Sequence, residues 1–137
     1  MPVIKYVFTQ NIKHEIDLSE KARTFSKFVI NQEGLPLNEK TKNIAHNIFF
    51  PIADENWITA SSIKPDKKLI IYISYLEKIF NREIKSNIVK KAINLFSENN
   101  SLFKPNDVYI VFEKIQNGDF FVGGFEISHE LMKKIFG

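Results

Sequence analysis

The chain has no cysteine among its 137 residues. That absence excludes disulfides, thiolate metal sites and cysteine nucleophiles together. Arginine is scarce too: seventeen lysines stand against two arginines, Arg23 and Arg82. A nucleic-acid binder concentrates charge on one face and favours arginine for phosphate and base contacts. Here lysine pairs such as Lys67-Lys68, Lys90-Lys91 and Lys133-Lys134 are interleaved with acids, and the net charge is only +3. Nucleic acid is not an expected partner. No apolar run approaches the ~20 residues of a membrane span, and the start of the chain lacks the apolar stretch of a secretory signal. A membrane is not an expected partner either, and the cytoplasm is the expected compartment. His14, His46 and His129 are dispersed without ligand spacing, so no metal is expected. No glycine-rich loop of phosphate-binding spacing precedes a helix, and no cofactor is implied.

What is present is a folding sequence: 44% of residues are apolar and thirteen are phenylalanine. The length suits one domain, taken as 1–137. Val3 to Phe8 is β-branched and aromatic enough for a strand. Asp17-Leu18-Ser19-Glu20 has the spacing of a capping box. Leu18, Ala22, Phe25 and Val29 then recur at helical spacing, with Gly34 as a stop. A strand-like stretch runs from Ile44 to Ile52, its Pro51 arguing for a strand end or a sheet edge. The order then starts again. Leu69 to Tyr75 is a nearly continuous apolar run, as in a strand covered on both faces. Ile84, Ile88, Ala92 and Phe96 line a helix, and Val108 to Ile115 is the next strand.

The chain therefore divides into two β-α-β units, 1–62 and 69–127, with a tail at 128–137. Trp57 and Phe120 occupy matching places, each followed three and four positions later by two small residues, Ala60-Ser61 and Gly123-Gly124. Matching them sets His46 opposite Tyr109. The glycine pair suits positive φ or close backbone approach better than phosphate binding. "SHELMKKIF" in the tail can form a short amphipathic helix suited to packing or to a contact between subunits. The fold class expected is α+β, a four-stranded sheet with two helices on one face. The other face carries apolar side chains with nothing left in the chain to cover them. Oligomerisation through that bare face follows.

Pro2 directly behind the initiator methionine has two readings. It can simply start the strand, where no ladder donor is missed. Alternatively, removal of Met1 exposes a secondary amine, a ready base or nucleophile. A duplicated β-α-β unit opening on Pro2, with the stretch Asp107 to Lys134 and its "GDFFVGG" turn, resembles the tautomerase superfamily, the group of 4-oxalocrotonate tautomerase and macrophage migration inhibitory factor. The resemblance implies a homotrimer whose sheets enclose a central barrel, with active sites at subunit boundaries built around the N-terminal proline.

Carried over by residue, the resemblance makes Pro2 the general base. Tyr109 falls where migration inhibitory factor has its active-site tyrosine and where 4-oxalocrotonate tautomerase has an arginine. Arg82 resembles the arginine that holds a substrate carboxylate, and Phe120 the aromatic that packs over the proline. Phe8 and Leu76 are expected to line the substrate site beside Phe120. The sequence departs from the family at Leu35, where migration inhibitory factor has a lysine. It also shows no position for the extra acid with which some members activate water, which disfavours hydrolysis and decarboxylation. The activity implied is tautomerisation or isomerisation of a small enolisable carbonyl acid. The rival is a catalytically silent trimer of the same fold, serving as a binding or assembly module.

Overall fold

Strict alternation makes the first strand. In β1 (Val3–Thr9), Ile4, Tyr6 and Phe8 are buried while Val3, Lys5 and Val7 on the opposite face are only half-buried. The computed structural model describes residues 2–10, 15–98 and 103–136. After β1 come α1 (Glu15–Gln32), α2 (Glu39–Asn43), β2 (His46–Ile52), β3 (Leu69–Leu76), α3 (Arg82–Ser97) and β4 (Val108–Ile115). A short hairpin, β5 (Phe121–Val122) and β6 (Phe125–Glu126), and α4 (His129–Phe136) complete the order.

The main sheet runs β2-β1-β3-β4. β1 is parallel to β2, β3 is parallel to β4, and the two pairs meet antiparallel through β1 and β3. Val3 pairs with both His46 and Ser74; at the other end of β1, Phe8 pairs with Pro51 and Leu69. β2 is an edge strand, which is where Pro51, lacking an N–H, is tolerated. His46 pairs with Val3 at the first position of its parallel pair, and Tyr109 with Ile70 at the second position of the other.

Both long helices lie on one face. The α1 stripe of Leu18, Ala22, Phe25 and Val29 is buried, as are Ile88, Ala92 and Phe96 of α3. The Phe96 ring meets Tyr6 at 5.6 Å and Phe25 at 5.9 Å, joining both helices to the centre of the sheet. The other face is bare. Ile48, Phe50, Tyr109 and Val111 stand 40–52% exposed on it. Lys5 crosses this face, 3.3 Å from Glu113 and 5.4 Å from the Tyr72 ring centroid.

Three local expectations are corrected. The first helix begins at Glu15, so Asp17 lies inside it and not at its start. The capping box that forms is at α2, where the Asn38 side chain accepts the Thr41 N–H and Thr41 Oγ1 accepts the Asn38 N–H, both at 3.0 Å. It converts the start of the expected Ile44–Ile52 strand into a helix end, and the strand starts at His46. Finally, the stretches around Trp57 and Phe120 take different forms. Gly123 and Gly124, at φ 59° and 85°, make the two-residue turn of β5–β6. Such a turn needs two residues at positive φ. Ala60 and Ser61 carry Cβ atoms that resist it, and residues 57–68 contain no strand.

Candidate active site at the amino-terminal edge of the sheet

The topology brings the starts of β1 and β2 and the ends of β3 and β4 to one edge. Pro2 is buried there, and its carbonyl accepts the His46 N–H at 3.1 Å. Leu76, the last residue of β3, is 3% exposed at the same edge. The connections leaving this edge are tied together. The Glu77 N–H donates to the Ile115 carbonyl at 2.8 Å, and the Asn117 N–H donates to the Glu77 carboxylate at 3.1 Å. Between β3 and α3 the chain turns sharply through Lys78, which sits at φ 70°, a conformation most side chains avoid.

Phe120 follows this connection. It is half-buried against the core, and its carbonyl accepts the Ile127 N–H at 2.8 Å, which closes the hairpin stem. Arg82 is the first residue of α3, exposed, behind the Asn81 cap whose side chain accepts the Ile84 N–H at 2.8 Å. Pro2, Leu76, Phe120 and Arg82 therefore belong to one end of the molecule.

Tyr109 and Phe8 do not. Tyr109 is the second residue of β4 and pairs with Ile70, which pairs with Val7. Four strand positions separate Val7 from Val3, roughly 13 Å along the sheet. Tyr109 points to the bare face at 52% exposure. Phe8 lies one position beyond Val7 and is 6% exposed in the core, with its ring edge-on to Phe49 at 6.4 Å. Its inward register in β1 buries it beneath the helices.

Two charged groups at the Pro2 edge escape the sequence patterns. Lys85, one turn into α3, holds its ammonium 5.0 Å from the Tyr75 ring centroid and 5.6 Å from that of Phe112. Tyr75, Phe80 and Phe112 form a cluster beneath it, with Tyr75 stacked on Phe80 at 5.0 Å. Lys85 is a second cation at the start of this helix beside Arg82. Glu33, just after α1, is 3% exposed, and its carbonyl meets His129 Nε2 of α4 at 3.2 Å. An acidic residue before Gly34 reads in sequence as a solvated helix end, whereas here it is buried with His129 of the tail against its carbonyl. The tail also walls an apolar cavity of about 390 Å³, lined by Ile44, Val122, Phe125, Ile127, Met132 and Ile135 among others. Among the described residues, no three His, Asp or Glu side chains gather as metal ligands.

No sequence-family model matches the chain, and no curated protein matches it. Solved structures do. A fused 4-OT, a wild-type symmetric trimer, superposes at a TM-score of 0.72 with 15% identity, covering 96% of this chain and 98% of its own. A macrophage migration inhibitory factor-like protein from Entamoeba histolytica gives 0.68 at 13% identity, over 92% and 98% of the two chains. FG41 malonate semialdehyde decarboxylase gives 0.67 at 13% identity, over 98% and 97%. The chain shares the fold of these structures over 92–98% of its length.

Proposed function

We propose that the protein is a tautomerase or isomerase that moves a proton within a small enolisable carbonyl acid, with the amine of Pro2, freed by loss of Met1, as general base. The observation that carries this reading is the burial of Pro2 at the sheet edge where the chain begins. A free α-amine titrates near ~8 in water, and apolar surroundings penalise its cation. An amine brought toward neutrality is an efficient base at cellular pH. Leu76 and Phe120 supply apolar walls at this edge. Phe8, in the core, has a packing role.

Removing a proton next to a carbonyl builds negative charge on its oxygen, which a positioned hydroxyl or cation stabilises. Tyr109 is the proposed hydroxyl, contributed by a neighbouring subunit, because in its own chain it stands at the far end of the sheet. Arg82 is the proposed carboxylate holder. The bare apolar face supports a homotrimer, the assembly of the fused 4-OT whose fold the chain shares. Among the described residues, no helix is long and apolar enough to cross a membrane, and we place the enzyme in the cytoplasm.

One observation favours the rival, a silent binding or assembly module: Pro2 and Tyr109 do not meet within a chain. Enol–keto conversion of a phenylpyruvate-type substrate separates the two readings. The assay compares three proteins: one whose intact mass shows Met1 lost, one with a short N-terminal extension, and Pro2→Ala. The enzyme reading expects full activity only in the first, no activity in the extended chain, and a steep fall in Pro2→Ala. Activity indifferent to a blocked Pro2, or absent from the processed protein, overturns it.

A further inference from the structure

The inward face of edge strand β2 carries a polar residue where the central strands carry aliphatic and aromatic ones. Asn47 stands there beside Phe49, whose ring stacks on the buried Tyr6 at 5.1 Å. A polar group in such a place costs free energy unless it is hydrogen-bonded. Asn47 is: its Oδ1 accepts the Tyr6 hydroxyl at 3.1 Å, and its Nδ2 donates to Ser26 Oγ at 3.1 Å. Ser26, 5% exposed, donates in turn to the Arg23 carbonyl at 3.1 Å. These bonds fix a polar floor between the sheet edge and α1. Small side chains leave room above it. A cavity of about 440 Å³ opens between α1, α2 and β2, lined by Arg23, Ser26, Lys27, Glu39, Lys42 and Asn47 among others. A second, of about 200 Å³, shares Arg23 and Asn47 with it and reaches Ala22 and Phe49.

The charges on this lining do not cancel. Arg23, Lys27 and Lys42 meet one carboxylate, Glu39, and three minus one leaves an excess of two positive charges. Lys42 hydrogen-bonds Glu39. That bond and the Lys42 charge hold the Glu39 carboxyl below its ordinary range, with burial opposing and Lys27 adding to the pull. Glu20 meets Arg23 Nη1 at 2.7 Å from outside the lining, which leaves the other guanidinium N–H groups to donate. Charges on a solvated helix face point apart, whereas these converge from two helices on one concavity of small-molecule size.

We propose that this pocket binds a small organic phosphate, its phosphoryl group held by Arg23, Lys27 and Lys42 and its carbon body reaching toward Ala22 and Phe49. A phosphate monoester carries about two negative charges near neutral pH, which matches the excess on the lining, whereas a single carboxylate carries one. The planar guanidinium offers parallel N–H groups to two phosphate oxygens, and the ammonium groups add point charges. Pro2 lines neither cavity, so this site and the tautomerase reading stand or fall separately.

The test titrates phenyl phosphate into ¹⁵N-labelled full-length protein and follows the backbone and side-chain amide signals by NMR. Binding should saturate at millimolar concentration or below, with the largest shifts at Ser26, Lys27, Lys42 and the Asn47 side-chain amide. Arg23→Gln combined with Lys27→Gln should weaken it about tenfold or more, the usual loss when charged hydrogen-bond partners are removed. Both residues are exposed on α1, so the variant keeps its fold, which thermal unfolding checks. Arg23→Lys alone keeps the charge and loses the planar fork, and its affinity should fall between the two. Inorganic phosphate should compete, and benzoate should bind more weakly than phenyl phosphate. Benzoate binding as tightly shows a pocket that does not select phosphate and overturns the proposal. So does a double variant that binds like wild type. Shifts that never saturate, or that spread over exposed lysines elsewhere such as Lys90 and Lys134, mean an adventitious ion only and overturn it as well.

Discussion

The first strands of the two β-α-β units start at opposite ends of the sheet, and the two ends are finished differently. At the near end, β1 begins at Val3 behind the buried Pro2, whose carbonyl accepts the His46 N–H. At the far end, β3 begins at Leu69 in the corresponding place. Leu69 is wholly buried, and its nitrogen is an internal amide with no basicity. The residue before it is knitted into the sheet: the Lys68 N–H donates to Thr9 Oγ1 at 3.1 Å, and the Thr9 N–H donates to the Lys68 carbonyl at 3.2 Å. The Lys68 ammonium is hydrogen-bonded to Asp107 at 2.5 Å, and that bond holds its pKa above the ordinary lysine value. The loop that precedes it, with Ile58 and Ile63 exposed, has no hairpin. The two β-α-β units share a scaffold and differ in how their ends are finished. What the far end offers instead is Tyr109 on an open face.

If the two ends complete each other across subunits, separating the subunits has the largest effect. Val111→Lys places an ammonium in the middle of the bare face, where assembly would bury it without a partner. Light scattering should show the wild type near three times 16.0 kDa and the variant at one chain's mass, with activity lost. A wild-type monomer at micromolar concentration breaks the comparison outright.

The Tyr109 hydroxyl comes next. Tyr109→Phe should lower kcat on the order of 10²-fold, the usual loss of one oxyanion donor. Refolding inactive Pro2→Ala chains together with Tyr109→Phe chains sharpens this. Mixed trimers contain sites with an intact Pro2 from one subunit and an intact Tyr109 from another. Activity should therefore exceed the sum of the parents. No recovery would mean that the near and far ends do not share a site.

The smallest effect belongs to Lys68→Ala. It removes a pair whose side chains are about one-fifth exposed, and pairs near the surface contribute about 1 kcal/mol or less. Thermal unfolding should shift by a few degrees, with trimer mass unchanged. A collapse of the fold would show that the far end is held together more tightly than its open loop suggests.

Much of the near end was legible because local rules act there. β4 spans Val108–Ile115 as its β-branched and aromatic run indicates, and the Gly123-Gly124 turn follows from two residues free to adopt positive φ. Elsewhere local rules were outvoted. Asp17 and Glu20 have the spacing of a cap, yet the apolar stripe through Leu18 to Val29 continues to bury against the sheet and the helix starts earlier. Trp57 matches Phe120 in position, but the residues that follow it cannot make the same turn. Phe8 looks like a site aromatic in a list of residues, and only the length of β1 carries it away from Pro2.

By itself the sequence determined the pattern: two β-α-β units, a bare apolar face, and a proline ahead of the first strand. Those follow from side-chain period and turn chemistry, which act over a few residues. The tertiary structure alone decided that Tyr109 and Pro2 sit at opposite ends, that Lys85 rests on an aromatic cluster beside Arg82, and that Glu33 is buried with its carbonyl against His129. These depend on strand direction and on contacts between residues as far apart as Glu33 and His129, a separation of 96 positions. No local pattern encodes such a distance; it is set when the whole core closes.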